Sequence, residues 1–291
     1  MNISQVYAVY FSATGNTRKV TTTLANALAV SFDVPLEVRD FTLPAAREEA
    51  YEFAEGDLVV FGMPTYAGKL PNKLLDFVKS GFHGNGALAV PVVTFGNRSF
   101  DNSLAELCAC LEGDGFHTIG AGAFACRHAF TDALANGRPD SDDMAELAKL
   151  GSAVVGRIVK MTEYPAPVTV DGDADAPYYR PLGLDGEPKV FLKAKPKTDL
   201  DKCIHCGVCA SLCPMCSINP DDVTEVVGVC IKCHSCVRNC PMGAKYFVPL
   251  APRDARTRLH AQSGGQDLHG VRKHIKRLCL GIPNGAFFIP E

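Results

Sequence analysis

The 291-residue sequence is 47% hydrophobic, carries a net charge of −3 and contains 13 cysteines but no tryptophan. This composition excludes a disordered or fibrous chain and suffices for one sizeable domain and one small one. The acidic balance and lack of a recognised binding module argue against nucleic acid as a partner, and no run of eighteen apolar residues offers a membrane span. From the N-terminus, residues 1–160 alternate short apolar runs with helical patterns, which predicts an α/β domain with a parallel sheet. Strands are expected over Val6–Phe11, Pro35–Arg39, Asp57–Met63, Ala87–Thr94 and His117–Phe124. Helices are expected over Thr17–Ala29, Lys69–Lys79, Ser103–Glu112 and Asp142–Lys160. Five strands with helices between them fit a doubly wound sheet, whose ligands sit at the carboxyl ends of the strands where strand order reverses. The loops after the first, third and fourth strands are therefore the candidate site.

The first of these loops reads Ser12-Ala13-Thr14-Gly15-Asn16-Thr17. Small and hydroxylated residues at a helix start offer backbone N–H groups and the positive end of the helix dipole, which suits a phosphate. Neither a Walker lysine nor a Gly-x-Gly-x-x-Gly dinucleotide pattern is present. Read alone, the turn is also compatible with an ordinary N-cap by Thr14 or Asn16. The second loop contains Pro64-Thr65-Tyr66-Ala67-Gly68, and the third Thr94-Phe95-Gly96-Asn97-Arg98-Ser99-Phe100.

The first loop resembles the phosphate loop of flavodoxins, and the second resembles the flavodoxin loop that flanks the isoalloxazine ring. The resemblance implies FMN, a flavin ending in a monophosphate. It also implies stacking by Tyr66, backbone contacts from Thr65 to Gly68 at the flavin N5 edge, and closure of the pyrimidine side by the third loop through Asn97. Phe95 and Phe100 depart from the common pattern by standing where tyrosine is often found. Arg98 is placed either beside N1 and O2, where it would stabilise the reduced anion, or in a surface salt bridge. The stretch Ala105–Phe116 that leads into the fifth strand is short, as in the short form of the family.

Residues 161–196 hold six prolines and the acidic run Asp171, Asp173, Asp175, and read as an extended connector. Such a segment either tethers a mobile head or lies along the first domain. Tyr178, Tyr179, Val190, Phe191 and Leu192 favour packing.

Two copies of one cysteine run follow, Cys203-x2-Cys206-x2-Cys209-x3-Cys213-Pro and Cys230-x2-Cys233-x2-Cys236-x3-Cys240-Pro, aligned at an offset of 27. This is the spacing of bacterial iron–sulfur runs, in which the fourth cysteine serves the other cluster. On that pattern Cys203, Cys206, Cys209 and Cys240 hold one 4Fe–4S cluster, and Cys230, Cys233, Cys236 and Cys213 the second. Structural zinc would leave the third cysteine of each run unexplained. Cys108 and Cys126 are expected to be buried as small hydrophobes, and Cys216 to be either spare or a reserve ligand beside a cluster. His117, His128 and His205 fall near the expected cofactors, as neighbours or surface residues.

Residues 197–250 resemble a bacterial-type two-cluster ferredoxin. Most of residues 1–250 resemble the flavodoxin–ferredoxin fusions called EFR1-family ferredoxins. The implied organisation is a flavodoxin-like unit at 1–160, a connector at 161–196, a ferredoxin unit at 197–250 and a basic extension at 251–291. In that extension Arg272, Lys273, His274, Lys276 and Arg277 either dock an acidic partner or neutralise the first unit, and Phe287-Phe288-Ile289-Pro290 suggests an end folding back. Cysteines at cluster spacing, with no basic leader before the first strand, point to a reducing cytoplasm and an anaerobic host. The implied function is electron transfer between FMN, two clusters and redox partner proteins such as ferredoxins, within one chain or across a homodimer. The rival is a flavin reductase acting on a quinone, a nitro compound or NAD(P)H, although no second nucleotide motif or acid–base pair supports it. A redox sensor would need an effector domain that the sequence does not contain.

Overall fold

Runs rich in valine, alanine and phenylalanine form the interior strands, as expected for segments buried on both faces. The computed structural model describes residues 2–180, 194–248 and 285–288. Its main sheet contains β1 (Gln5–Tyr10), β2 (Leu36–Asp40), β4 (Asp57–Pro64), β6 (Leu88–Phe95) and β8 (Ala121–Ala125), while β3 (Tyr51–Glu52) pairs with β5 (Phe82–His83) outside it. The spatial order is β8-β6-β4-β1-β2, all parallel, with β7 (His117–Thr118) also on β6. In terms of these five strands the order is 2-1-3-4-5, the flavodoxin-like doubly wound arrangement, whose reversal lies between the first and third. Further on lie β9 (Lys197–Thr198) and β10 (Lys245–Tyr246), which pair antiparallel; β11 (Gly285–Phe288) runs antiparallel to β8.

Helices cover both faces. α1 (Asn16–Phe32) and α4 (Ser141–Lys160) bury Val20, Leu24 and Leu28 with Leu147, Leu150 and Val154 on one face. α2 (Leu75–Ser80) and α3 (Ser103–Gly113) bury Val78, Leu107 and Leu111 on the other. Two expectations need correction. The helix expected over Lys69–Lys79 begins only at Leu75, because Tyr66 and Lys69 close a tight turn with Ala67 and Gly68 at positive φ. Pro71 then breaks any helix running from Lys69. The fifth strand is divided between β7 and β8, with Ile119 and Gly120 between them.

The connector lies along the flavodoxin-like unit as far as it is described. Tyr164 stacks on His117 at 4.0 Å, and the Val168 N–H donates to Thr118 Oγ1 at 2.9 Å. Lys69 Nζ donates to the carbonyls of Ala174 and Ala176 at 2.7 and 2.8 Å. Tyr178 donates its hydroxyl hydrogen to the Leu70 carbonyl, and the Tyr179 N–H donates to Ala67 O. Val190, Phe191 and Leu192 lie outside the described residues, as do Cys279, the basic cluster at 272–277, Ile289 and Pro290.

Lys69 also forms a buried ion pair with Glu106 at 3.0 Å, and Glu106 Oε2 accepts the Leu70 N–H at 2.7 Å. One carboxylate thus holds both the turn after β4 and, through Lys69, the connector. Replacing it leaves a buried cation without its counter-charge, which costs about 3 kcal/mol. Glu106→Gln is expected to lower the urea midpoint of the flavodoxin-like unit, followed by circular dichroism, while an unchanged midpoint would contradict this role.

Candidate cofactor sites

The three loops converge at the carboxyl ends of β1, β4 and β6. α1 starts without a side-chain cap or an acid in its first turn, and Gly15 precedes it at φ 89°. Among the described residues, the backbone N–H groups of Ala13, Thr14, Gly15, Asn16 and Thr17 reach no protein acceptor. Ser12 Oγ accepts the Arg18 N–H at 3.0 Å, and the Ser12 N–H donates to Thr42 Oγ1 at 2.8 Å. A run of unpaired N–H groups at the positive end of a 17-residue helix fits a phosphate. The N-cap alternative is not realised, since neither Thr14 nor Asn16 caps the helix.

The loops are tied to one another. Thr17 and Thr94 share a hydroxyl hydrogen bond of 2.7 Å, the Thr65 N–H donates to Thr94 O, and the Asn102 N–H donates to Gly68 O. Pro64 closes β4 beside this junction. The Gly96, Asn97, Arg98, Ser99 and Phe100 N–H groups likewise reach no acceptor among the described residues, leaving a second row of donors at the same edge. Phe95 and Phe100 pack together at 5.7 Å. Arg98 pairs with Asp101 and lies over the Tyr179 ring at 4.4 Å, so the salt-bridge reading of that residue is realised.

A fourth loop, residues 127–140, carries no local motif, and only His128 within it is expected near the cofactors from sequence. His128 covers Gly96 so closely that a Cβ there would lie 2.3 Å from the His128 ring. Asn16 Nδ2 donates to Arg127 O at 3.0 Å, and Arg138 Nη1 donates to Asn97 Oδ1.

The cysteine runs fold as a pseudo-symmetric pair. α5 (Val208–Ser211) and α6 (Ser235–Arg238) are related by the offset of 27, as are the positive-φ pairs His205/Lys232, Gly207/His234 and Cys216/Gly243. The Ser217 N–H donates to Cys213 Sγ at 3.3 Å and its counterpart Ala244 N–H to Cys240 Sγ at 3.2 Å. Cys203, Cys206, Cys209 and Cys240 line one cavity, and Cys213, Cys230, Cys233 and Cys236 line the other. The fourth cysteine of each run is thus delivered to the other run's cavity. Among the described residues no three His, Cys, Asp or Glu close on a single ion; the sulfurs ring a space instead.

Burial acts alike on core cysteines and on several of the ligand candidates, with Cys240 the exception. Burial pushes Cys108, Cys110 and Cys126 up to about 12, as for inert core residues. Burial also pushes Cys233 up to about 12, so iron at its cavity would supply the positive charge that the surroundings lack. Partial burial would raise Cys240 too, but the N–H groups of Lys245, Ala244, Met242 and Gly243 bring it below the ordinary thiol value. Cys216 is exposed, in the left-handed conformation that its repeat partner Gly243 also adopts.

The two halves touch at the loop edge. Cys233 joins the apolar core of the first unit, with Tyr66, Met215 and Ile231 packed against that core. Burial, and after it the charges of Cys233 and Cys230, push the Tyr66 hydroxyl well above the usual tyrosine range. Arg47 Nη2 donates to Pro214 O at 2.6 Å. Arg238 donates to the carbonyls of His128 and Ala129 at 3.0 and 2.8 Å and pairs with Asp132 at 2.8 Å. His234 stacks on Phe130 at 4.2 Å and on Phe247 at 4.4 Å.

Comparison with known families matches residues 7–94 to the Flavodoxin domain, and residues 196–215 and 228–243 each to a 4Fe-4S binding domain. No curated protein matches the chain significantly. Among solved structures, a flavodoxin from the domain Archaea is 16% identical over 53% of this chain and 99% of its own, with a TM-score of 0.37. A short-chain flavodoxin associated with a non-canonical PDU bacterial microcompartment is 15% identical over 54% and 98%, with a TM-score of 0.36. Rubredoxin oxygen:oxidoreductase from the anaerobe Desulfovibrio gigas is 14% identical over 53% and 36%, with a TM-score of 0.34. The chain carries a flavodoxin-like domain and two 4Fe–4S ferredoxin motifs. Its cofactors are FMN and two 4Fe–4S clusters, and it is an electron-transfer flavo-iron–sulfur protein. No described helix is long and apolar enough to cross a membrane.

Arg238 makes the most polar contacts of any side chain between the halves. Its truncation leaves the carbonyls of His128 and Ala129 without this donor, at a cost of about 2 kcal/mol to the contact. Arg238→Ala is expected to expose the 127–140 loop to limited proteolysis with flavin and iron contents intact; unchanged cleavage would contradict this.

Proposed function

We propose that the chain is an EFR1-family ferredoxin that relays electrons between FMN, its two clusters and a separate redox protein. The observation that carries this reading is the contact of Cys233 with the core that also receives Tyr66 from the flavin loop. A flavin edge and a cluster site share one interface within a single chain, with no domain movement or second copy required. A substrate over the same edge would compete with the cysteine-bearing half, which counts against the reductase alternative.

In this reading the phosphate lies on the N–H groups of Ala13 to Thr17, with the hydroxyls of Ser12, Thr14 and Thr17 and the Asn16 amide around it. Pro64, Thr65, Tyr66, Ala67 and Gly68 flank the ring on the ferredoxin side. Thr94, Phe95, Gly96, Asn97, Arg98 and Phe100 flank the pyrimidine side, backed by His128. When bound, FMN exchanges electrons singly or in pairs and each cluster exchanges one. The chain orients these groups, excludes water from the contact through Tyr66, Met215 and Ile231, and directs backbone N–H groups at the ligand sulfurs, which tunes cluster potential. The domain limits follow at about residues 160, 196 and 250.

The test is an anaerobic reductive titration with flavin, iron and sulfide assayed on the same sample. About one FMN and about eight irons per chain are expected, with cluster signals in electron paramagnetic resonance growing as flavin absorbance bleaches; iron without flavin would overturn the reading. Gly15→Asp forces a side chain into φ 89° and sets a carboxylate at the anion site. It is expected to abolish flavin retention and leave iron unchanged. Cys213→Ala is expected to remove about half of the iron, with the loss at the cavity of Cys230, Cys233 and Cys236; retention of all the iron would refute the crossed ligand assignment.

A further inference from the structure

The internal two-fold of the ferredoxin unit relates not only the cysteines but also the surfaces around them. Ile231, Met215 and Pro214 line the cavity of the second run, and their counterparts Ile204, Met242 and Pro241 line the cavity of the first. The two surfaces have opposite fates. Around the second run, Cys233 is buried in the flavodoxin-like core, Met215 and Ile231 pack against that core, and the Pro214 carbonyl is held by Arg47. Around the first run the equivalent residues are open: Ile204 is 60% exposed, Met242 is 46% exposed, and Cys206 and Pro241 are exposed.

We propose that this open face is the docking surface for a separate flavodoxin-type protein. The partner's flavin-bearing edge would occupy there the position that this chain's own flavin loops occupy on the other half. The argument is one of repeated shape and chemistry: an isoleucine, a methionine and a proline ring a cysteine cavity on both halves, and on one half this combination already receives a flavodoxin loop edge. The differences between the halves also have meaning. His234 and Arg238, which latch the occupied half to Phe130 and to the carbonyls of the 127–140 loop, correspond to Gly207 and Ser211 on the open half. The open face keeps the apolar centre and lacks the polar latches, so its complex dissociates readily, as an exchanging electron carrier requires. The proposal rests on the relay reading above.

The experiment uses the full holoprotein and, as probe, a free FMN-loaded flavodoxin reduced beforehand. Stopped-flow absorbance measures the second-order exchange rate. Ile204→Lys is expected to lower that rate about tenfold or more, compared at equal iron and flavin content per chain because Ile204 lines the first cavity. Val159→Lys, on the exposed side of α4, is expected to leave the rate unaltered. Carbene footprinting of the unaltered protein provides a readout independent of any variant, and bound flavodoxin is expected to shield peptides containing Ile204 and Met242. An unchanged rate in Ile204→Lys, or shielding confined to another face, overturns the proposal. So does self-association of the holoprotein through this face, seen in sedimentation. If the unaltered protein fails to load iron or to pass electrons within the chain, the relay reading falls, and the docking proposal with it.

Discussion

Cys233 occupies an unusual position for a cysteine of a 4Fe–4S motif, since it belongs to the hydrophobic core of the neighbouring unit. Much of the rest follows from that placement. Because Cys233 sits in the middle of its run, Ile231 on one side and His234 on the other are carried to the same boundary. Because Cys213 serves the same cavity, Pro214 and Met215 are carried there from the first run. The crossing of the fourth cysteines therefore does more than fill out two cavity linings. It brings residues 213–215 and 230–238 together as one continuous face, which neither run could form alone.

The flavodoxin-like side meets that face with elements fixed for other reasons. The tight turn at Tyr66–Lys69 is held by the Glu106–Lys69 pair and by the connector, which lies across Leu70 and Ala67. The 127–140 loop is held by Arg138 through a charged pair with buried Asp143 and by the bond from Asn16 in the phosphate loop. The contacts made by Tyr66 and by the 127–140 loop thus land on backbone that is anchored within the loop cluster. Pro-rich sequence is commonly read as a flexible tether. Here residues 164–180 act as a strap, because Tyr164, Val168, Tyr178 and Tyr179 give it hydrogen bonds and rings with which to adhere.

What the sequence disclosed depended on whether a signal was local. Strand positions followed from apolar runs, the place of the loop before α1 from six consecutive residues, and the cysteine cavities from a spacing repeated at an offset of 27. The Lys69–Lys79 helix misled because its pattern was amphipathic, while the deciding features were a turn with two positive-φ residues and a proline. The 127–140 loop was illegible because its importance comes from Gly96 and Arg238, thirty and a hundred residues away. Arg238 itself reads as an ordinary surface residue in a four-residue helix. One signal was present and could have been followed further: the repeat aligns Cys216 with Gly243, which already marks that cysteine as holding a turn position. Its exposure at positive φ agrees with that.

The small unit also has an energetic peculiarity. Its own buried core consists of Cys209, Ile218, Val223 and Cys236, so half of it is cysteine from the 4Fe–4S motifs. Units of this size do not stabilise themselves by apolar burial alone and draw on disulfides or metals. Metal ligation in such a fold is folding free energy rather than an addition to it. The face presented to the flavin loops is built from the loops that the cysteines hold in place. Iron bound by these cysteines would stabilise the same loops that position Ile231, Met215 and Arg238 against the first unit. The loops after β1, β4 and β6 rest on the large sheet, but Tyr66 among them packs against the core that Cys233 joins. Each unit thus completes part of its packing with the other.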